Sequence, residues 1–170
     1  MVQQLGLHNV ADLQTLIRWN ERFGIRFLRM SSEMFPFASH GVHGYTLEFA
    51  AEELREAGRL AMKWGHRLTT HPGQFTQLGS VRKEVVVASV RDLEYHAEML
   101  GRLGLRGQQD KDAVMILHMG GVFGDRGETL ERFRGNYRRL GEEVKKRLVL
   151  ENDDVVSYPD LRGRREEGEG

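Results

Sequence analysis

Apolar positions along the chain alternate between two spacings. Leu13, Leu16, Ile17 and Phe23 recur at helical intervals, and Gly24 stands where a helix C-cap is expected. The run Ile25 to Met30 then predicts a strand. A second helical stripe, Leu47, Ala50, Ala51, Leu54, Ala57, Ala61 and Met62, closes at Gly65 and hands over to a strand from His66 to Thr70. Val86, Val90, Leu93, Ala97 and Leu100 predict a third helix, ended by Gly104. Ala113-Val114-Met115-Ile116-Leu117 is the most apolar run in the chain and reads as a buried parallel strand. Leu130, Phe133, Tyr137, Leu140 and Val144 predict a fourth helix, leading into a strand from Arg147 to Leu150.

The order is helix, strand, four times over, with strand starts roughly 35 to 50 residues apart. Such alternation implies parallel strands joined by right-handed crossovers. An open doubly wound sheet and a (β/α)8 barrel both satisfy it. A complete barrel takes about 250 residues, and this chain has 170. The expected fold is therefore an α/β partial (β/α)8 TIM barrel of about four βα units over residues 1–160. A polar tail, 161–170, is expected to be disordered. Four barrel strands leave two open edges, which favour pairing with another chain.

Composition narrows the chemistry. The chain is 39% hydrophobic and 29% charged, with a formal net charge of zero, which leaves a nucleic-acid partner open because a basic face can be offset elsewhere. It contains no cysteine, so any metal must be held by imidazole and carboxylate, a donor set that suits manganese, zinc or iron. No stretch approaches 18 apolar residues, and the N-terminus lacks a basic region followed by an apolar one. Neither a membrane span nor a secretory leader is expected, and the cytoplasm is the default location.

The polar groups that break this pattern gather at strand ends. His71-Pro72-Gly73-Gln74-Phe75 follows the second predicted strand, His118-Met119-Gly120-Gly121 the third, and Glu151-Asn152-Asp153-Asp154 the fourth. In a barrel every such end opens on one mouth, where chemistry collects, and this favours the barrel over the open sheet. His71 and His118 are candidate metal ligands, although either can instead satisfy a backbone carbonyl. Glu151 ends an apolar strand, where an unpaired carboxylate is costly and a cation is the usual remedy; Asp153 and Asp154 can serve simply as helix N-caps. Gln74 and Phe75 form a projecting pair, one hydrogen-bonding and one stacking. The segment Ser31 to His40 follows the first strand; its aromatics either meet a stacked base or plug the barrel rim. His8, His43, His66 and His96 read as structural or surface residues. Arg126, Arg132, Arg134, Arg138, Arg139, Lys145, Lys146 and Arg147 are interleaved with acids and read as a solvated helix face.

At these residues the chain resembles the UV-damage endonuclease family, enzymes that nick DNA beside photolesions. The resemblance lies in Leu13 to Asn20 (LQTLIRWN), Arg29 to His40 (RMSSEMFPFASH), His71 to Phe75 (HPGQF), His118 to Gly121 (HMGG) and Leu150 to Asp154 (LENDD). It implies a barrel related to endonuclease IV and to xylose isomerase, with a cluster of divalent metals, commonly manganese, with zinc or magnesium as alternatives, at its mouth. It implies that His71, His118 and Glu151 are metal-binding and catalytic, that Gln74 and Phe75 probe damaged bases, and that His40 belongs to the substrate-binding rim. The implied partner is damaged double-stranded DNA. The resemblance also departs: the family's first strand has no counterpart ahead of Val2, its later ligands would lie beyond Gly170, and the polar tail does not match. A truncated or frameshifted reading, with weak or absent cleavage, is the expectation that follows. Two other readings remain, a metal-dependent sugar isomerase-like barrel and a non-catalytic half-barrel that oligomerises or binds DNA.

Overall fold

The computed structural model describes residues 1–151. The predicted tail, along with Asp153 and Asp154, lies outside the described residues. Helix α1 (Val2–Arg22) leads to β1 (Phe27–Met30); a 3-10 turn (Glu48–Ala50) runs straight into α2 (Ala51–Trp64), followed by β2 (Arg67–Thr70). Then come α3 (Lys83–Arg102), a short α4 (Gly107–Asp112), β3 (Met115–His118), α5 (Arg126–Arg138), α6 (Glu142–Arg147) and β4 (Leu148–Glu151).

The four strands form one parallel sheet in the order β1-β2-β3-β4. A doubly wound sheet would reverse direction at a switch point, whereas sequential order without reversal is that of a barrel wall. The fold is thus an α/β partial TIM barrel.

Strand side chains alternate between the two faces. Leu28, Met30, Leu68, Met115, Leu117, Leu148 and Leu150 point toward the helices and join one apolar core with Val10, Leu13 and Ile17 of α1, Leu54 and Ala57 of α2, and Leu93 and Leu100 of α3. The other face, the barrel interior, stays open: Phe27 is 48% and Val149 40% exposed.

Local chemistry sets the helix ends. Gly65 closes α2 in the left-handed conformation (φ 70°, ψ 30°), which residues with a Cβ rarely adopt, and its position matches the expected cap. Gly58 serves close packing instead: a Cβ there would collide with the Leu103 carbonyl oxygen, so α2 meets the end of α3 backbone to backbone.

Three expectations need correction. Helix α4 went unread because Gly-Gln-Gln-Asp-Lys-Asp has no apolar period, and none of its residues is buried. The fourth helix is two helices, because Gly141 takes an extended conformation (φ −63°, ψ 153°) and starts α6 afresh. Consequently Arg147 is not on a solvated face. It is 3% exposed, with Nη2 on the Asp110 carboxylate at 2.7 Å and Nη1 donating to the Ala113 carbonyl at 3.1 Å. Lys146 pairs with the same Asp110. Arg132 also departs from a solvated face: half-buried, it donates to the Gly79 carbonyl at 3.1 Å and to the Phe123 carbonyl at 2.8 Å, whereas pairs such as Arg134–Glu131 and Lys145–Glu142 lie along the helix surface. Among the described residues no helix is long and apolar enough to cross a membrane.

Candidate metal centre

The sheet brings together the three residues from the strand ends. His118 and Glu151 are registered neighbours at the last positions of β3 and β4. The pairing Thr70↔Met115 sets His71 opposite Ile116, one pleat below His118 and on the same face. All three therefore project into the barrel interior at its C-terminal mouth. His71 Nε2 lies 3.2 Å and His118 Nε2 3.7 Å from the same Glu151 oxygen, Oε2. The two imidazole rings are 4.9 Å apart between centroids. One ligand atom from each of the three falls within 4.8 Å of the others.

The hydrogen bond on the far side of His71 fixes its chemistry. Nδ1 lies 3.0 Å from the Pro72 carbonyl oxygen, which can only accept, so Nδ1 carries the proton. In the neutral ring Nε2 is then an acceptor, facing a carboxylate oxygen. Two acceptors in contact repel unless a proton or a cation lies between them. A carbonyl that orients the far nitrogen in this way is the usual support of a metal-bound histidine.

Pro72 has a second effect. Thr70 N donates to the Val114 carbonyl at 3.0 Å. The next β2 residue placed to donate toward β3 is Pro72, which has no N–H. The ladder between β2 and β3 stops after the single registered pair Thr70↔Met115, and the chain is released into the loop that carries Gln74 and Phe75.

Those two residues are exposed at the loop tip, Phe75 by 80%. His40 does not join the three ligands; it sits on the neighbouring loop, stacked on His43 with centroids 5.0 Å apart. Its Nδ1 accepts from the Val42 and His43 amides, each at 3.1 Å, which leaves the ring proton of a neutral His40 on Nε2. The two aromatics ahead of it divide. Phe35 is buried at 2% exposure, whereas Phe37 projects outward at 59% with φ 64°.

Comparison with known proteins supplies the family. A family model described as UV-endonuclease UvdE matches residues 1–160. The chain belongs to the UV-endonuclease UvdE family. It is similar to a UV-damage endonuclease of Neurospora crassa, 67% identical over 155 residues that cover 91% of this chain and 24% of that protein. A UV-damage endonuclease of Schizosaccharomyces pombe is 59% identical over 154 residues, covering 91% of this chain and 26% of that protein. A UV DNA damage endonuclease of Clostridium perfringens is 34% identical over 148 residues, 86% of this chain and 35% of that one. The solved structure described as "Crystal Structure of SacUVDE" superposes with a TM-score of 0.83 at 34% identity, over 92% of this chain and 52% of that one. The chain thus spans about a quarter of the length of the fungal relatives and about half of the solved UvdE-family structure.

In this UvdE-family chain two residues of α3 support the loops around the site. Asp92 of α3 accepts from Ser39 Oγ at 3.1 Å with one oxygen and from Thr76 Oγ1 at 2.8 Å with the other. It ties the loop bearing His40 to the loop bearing Gln74 and Phe75. Ser89, one turn earlier, accepts from the Gln77 amide at 2.7 Å. Neither residue carries a sequence signal, because an acid or a serine on a helix reads as surface until its partners are seen. His96, one turn beyond Asp92, is fully buried, and its burial depresses its pKa against the opposing pull of Asp92. His66, also fully buried, contacts Glu21 at 3.0 Å.

Proposed function

We propose that this chain forms the part of a DNA repair endonuclease that binds a divalent cation, manganese by preference, and presents it to the backbone of UV-damaged duplex DNA for phosphodiester hydrolysis. The observation that carries this reading is the convergence of His71 Nε2 at 3.2 Å and His118 Nε2 at 3.7 Å on the same Glu151 oxygen, Oε2. An ion bound about 2.1 Å from each of three donors sets them roughly 3 to 3.5 Å apart, so two of the contacts already stand near coordination spacing. An imidazole–carboxylate set without thiolate suits manganese and tolerates zinc or magnesium. A cation held there supplies Lewis acidity toward a phosphate oxygen and makes water easier to deprotonate. His71, His118 and Glu151 hold it, and the Pro72 carbonyl keeps the His71 tautomer that can ligate. The substrate reading assigns Gln74 and Phe75 to the gap left where a lesion has weakened stacking, since opening a duplex costs least there. His40, with its ring proton on Nε2, belongs to the rim that faces the DNA.

Three protein ligands suit one ion, whereas in-line displacement is strongest with two. The chain by itself is therefore expected to bind one Mn2+ and to nick irradiated duplex weakly or not at all. Isothermal titration of the purified chain with Mn2+ tests the metal, and cleavage of irradiated against unirradiated duplex tests the reaction. Retention of Mn2+ binding by His118→Ala and Glu151→Gln would remove these residues from the site. Efficient stoichiometric nicking by the chain would overturn the expectation of weak activity.

A further inference from the structure

Beside His71 and His118 lies an open cavity of about 620 Å3, and another part of its lining carries different chemistry. Arg29, Ser31 and Ser32 at the end of β1 line it together with His71, His118 and Gln74. Register explains the arrangement. Arg29 pairs with Thr69, two residues before His71, so that both residues of β1 and β2 face the barrel interior. Arg29 is solvent-exposed, and among the described residues no hydrogen bond or ion pair engages its side chain, so the guanidinium is open to an incoming anion. The hydroxyl of Ser31 accepts from the Glu33 amide at 3.1 Å, which leaves its own proton free to donate. Ser32 offers a second hydroxyl on the same wall.

We infer that the end of β1 is a phosphodiester-holding wall: Arg29 engages the non-bridging oxygens of the substrate phosphate, assisted by Ser31 and Ser32, while His71, His118 and Glu151 hold the cation beside it. The inference deepens the proposed function and rests on it for the identity of the anion. The two walls have opposite tasks: one supplies ligands to a cation, the other donors to an anion. A planar guanidinium fits the second task because it presents paired N–H groups to two oxygens at once, which a lysine does not. A phosphate held between Arg29 and the cation would be oriented before any bond breaks, and the open interior face gives it access.

The test uses inorganic phosphate and dimethyl phosphate as probes, titrated into the 15N-labelled chain without metal and followed at arginine Nε–H resonances. Arg29 is assigned as the signal missing from Arg29→Lys. A saturable shift of that resonance is expected. Phosphate affinity should fall about tenfold in Arg29→Gln and by a smaller factor in Arg29→Lys, which keeps charge without the paired donors. Ser31→Ala and Ser32→Ala should each weaken it about threefold. Equal phosphate affinity in wild type, Arg29→Gln and Arg29→Lys would overturn the inference. Parallel Mn2+ titrations separate it from the functional reading. Arg29→Gln that retains Mn2+ and loses phosphate supports the inference. A wild-type chain that shifts Arg29 on phosphate addition but takes up no Mn2+ supports the wall and rejects the metal reading. If Arg29→Gln loses Mn2+ as well, Arg29→Lys decides: retained phosphate binding there supports the wall, and affinity no better than in Arg29→Gln overturns it.

Discussion

His96 shows how a buried side chain can tie stability to pH. Its Nδ1 donates to the Asp92 carbonyl at 2.7 Å, and its Nε2 is buried without a partner. The neutral ring tolerates this, because a lone acceptor is less costly than an uncompensated charge. Burial lowers the pKa of His96 below its ordinary 6.5. The unfolded chain therefore binds this proton first as pH falls. The stability it contributes is complete above about pH 6.5 and is lost as pH drops toward the folded-state value. Urea unfolding between pH 7.5 and 5.5 should show a falling midpoint, with a shallower fall in His96→Gln. Asp92, its neighbour, makes a different prediction. Asp92→Ala releases Ser39 and Thr76 together and should cost about 1–3 kcal/mol. Amide exchange should accelerate in residues 73–78 but not in α1. At this scale the sequence was informative wherever a residue contradicted its surroundings. His71, His118 and Glu151 stood out as polar groups ending apolar runs. Asp92 and Arg29 did not, since their meaning lies in partners and in register, which no single position displays.

Among the elements, those with a strong apolar period were legible and those without were not. The cores of α2 and α3 follow their stripes, and Gly65 ends α2 where expected, whereas α1 buries Val10, Leu13 and Ile17 and leaves Leu16 and Phe23 of its expected stripe exposed. Helix α4 is wholly polar, and its role is geometric: it carries Asp110 to the buried Arg147. Two cations beside Asp110, Lys146 first and then Arg147, lower its pKa. Removing the guanidinium leaves buried polar groups unmatched, so Arg147→Met should destabilise the chain by about 3–5 kcal/mol, read from chemical denaturation. The crossing of α2 with the end of α3 is equally intolerant. Gly58→Ala places a methyl against the Leu103 carbonyl, and overpacking of this kind costs about 1–3 kcal/mol, seen as a lowered Tm.

At the scale of the molecule, a partial barrel packs one side of its sheet and leaves the interior side open, so a bound ion can contribute a large share of its stability. Mn2+ at 100 times its dissociation constant should stabilise the chain by about 2.7 kcal/mol. That corresponds to a rise in Tm of roughly 5 to 10 °C, reversed by chelation and absent in Glu151→Gln. The parallel order was legible because helices and strands alternate with chemistry at three successive strand ends. The interruption between β2 and β3 was not, because it depends on which backbone nitrogen faces which neighbour. Pro72 withholds one hydrogen bond at the place where the wall most needs continuity, and the three ligands straddle that gap, one on the β2 side and two on the β3–β4 side. An ion held by all three is then a clasp across a seam. Occupancy would decide whether the two leaves of the sheet move as one body, and slowed exchange of the Ile116 amide on adding Mn2+ would register the clasp closing.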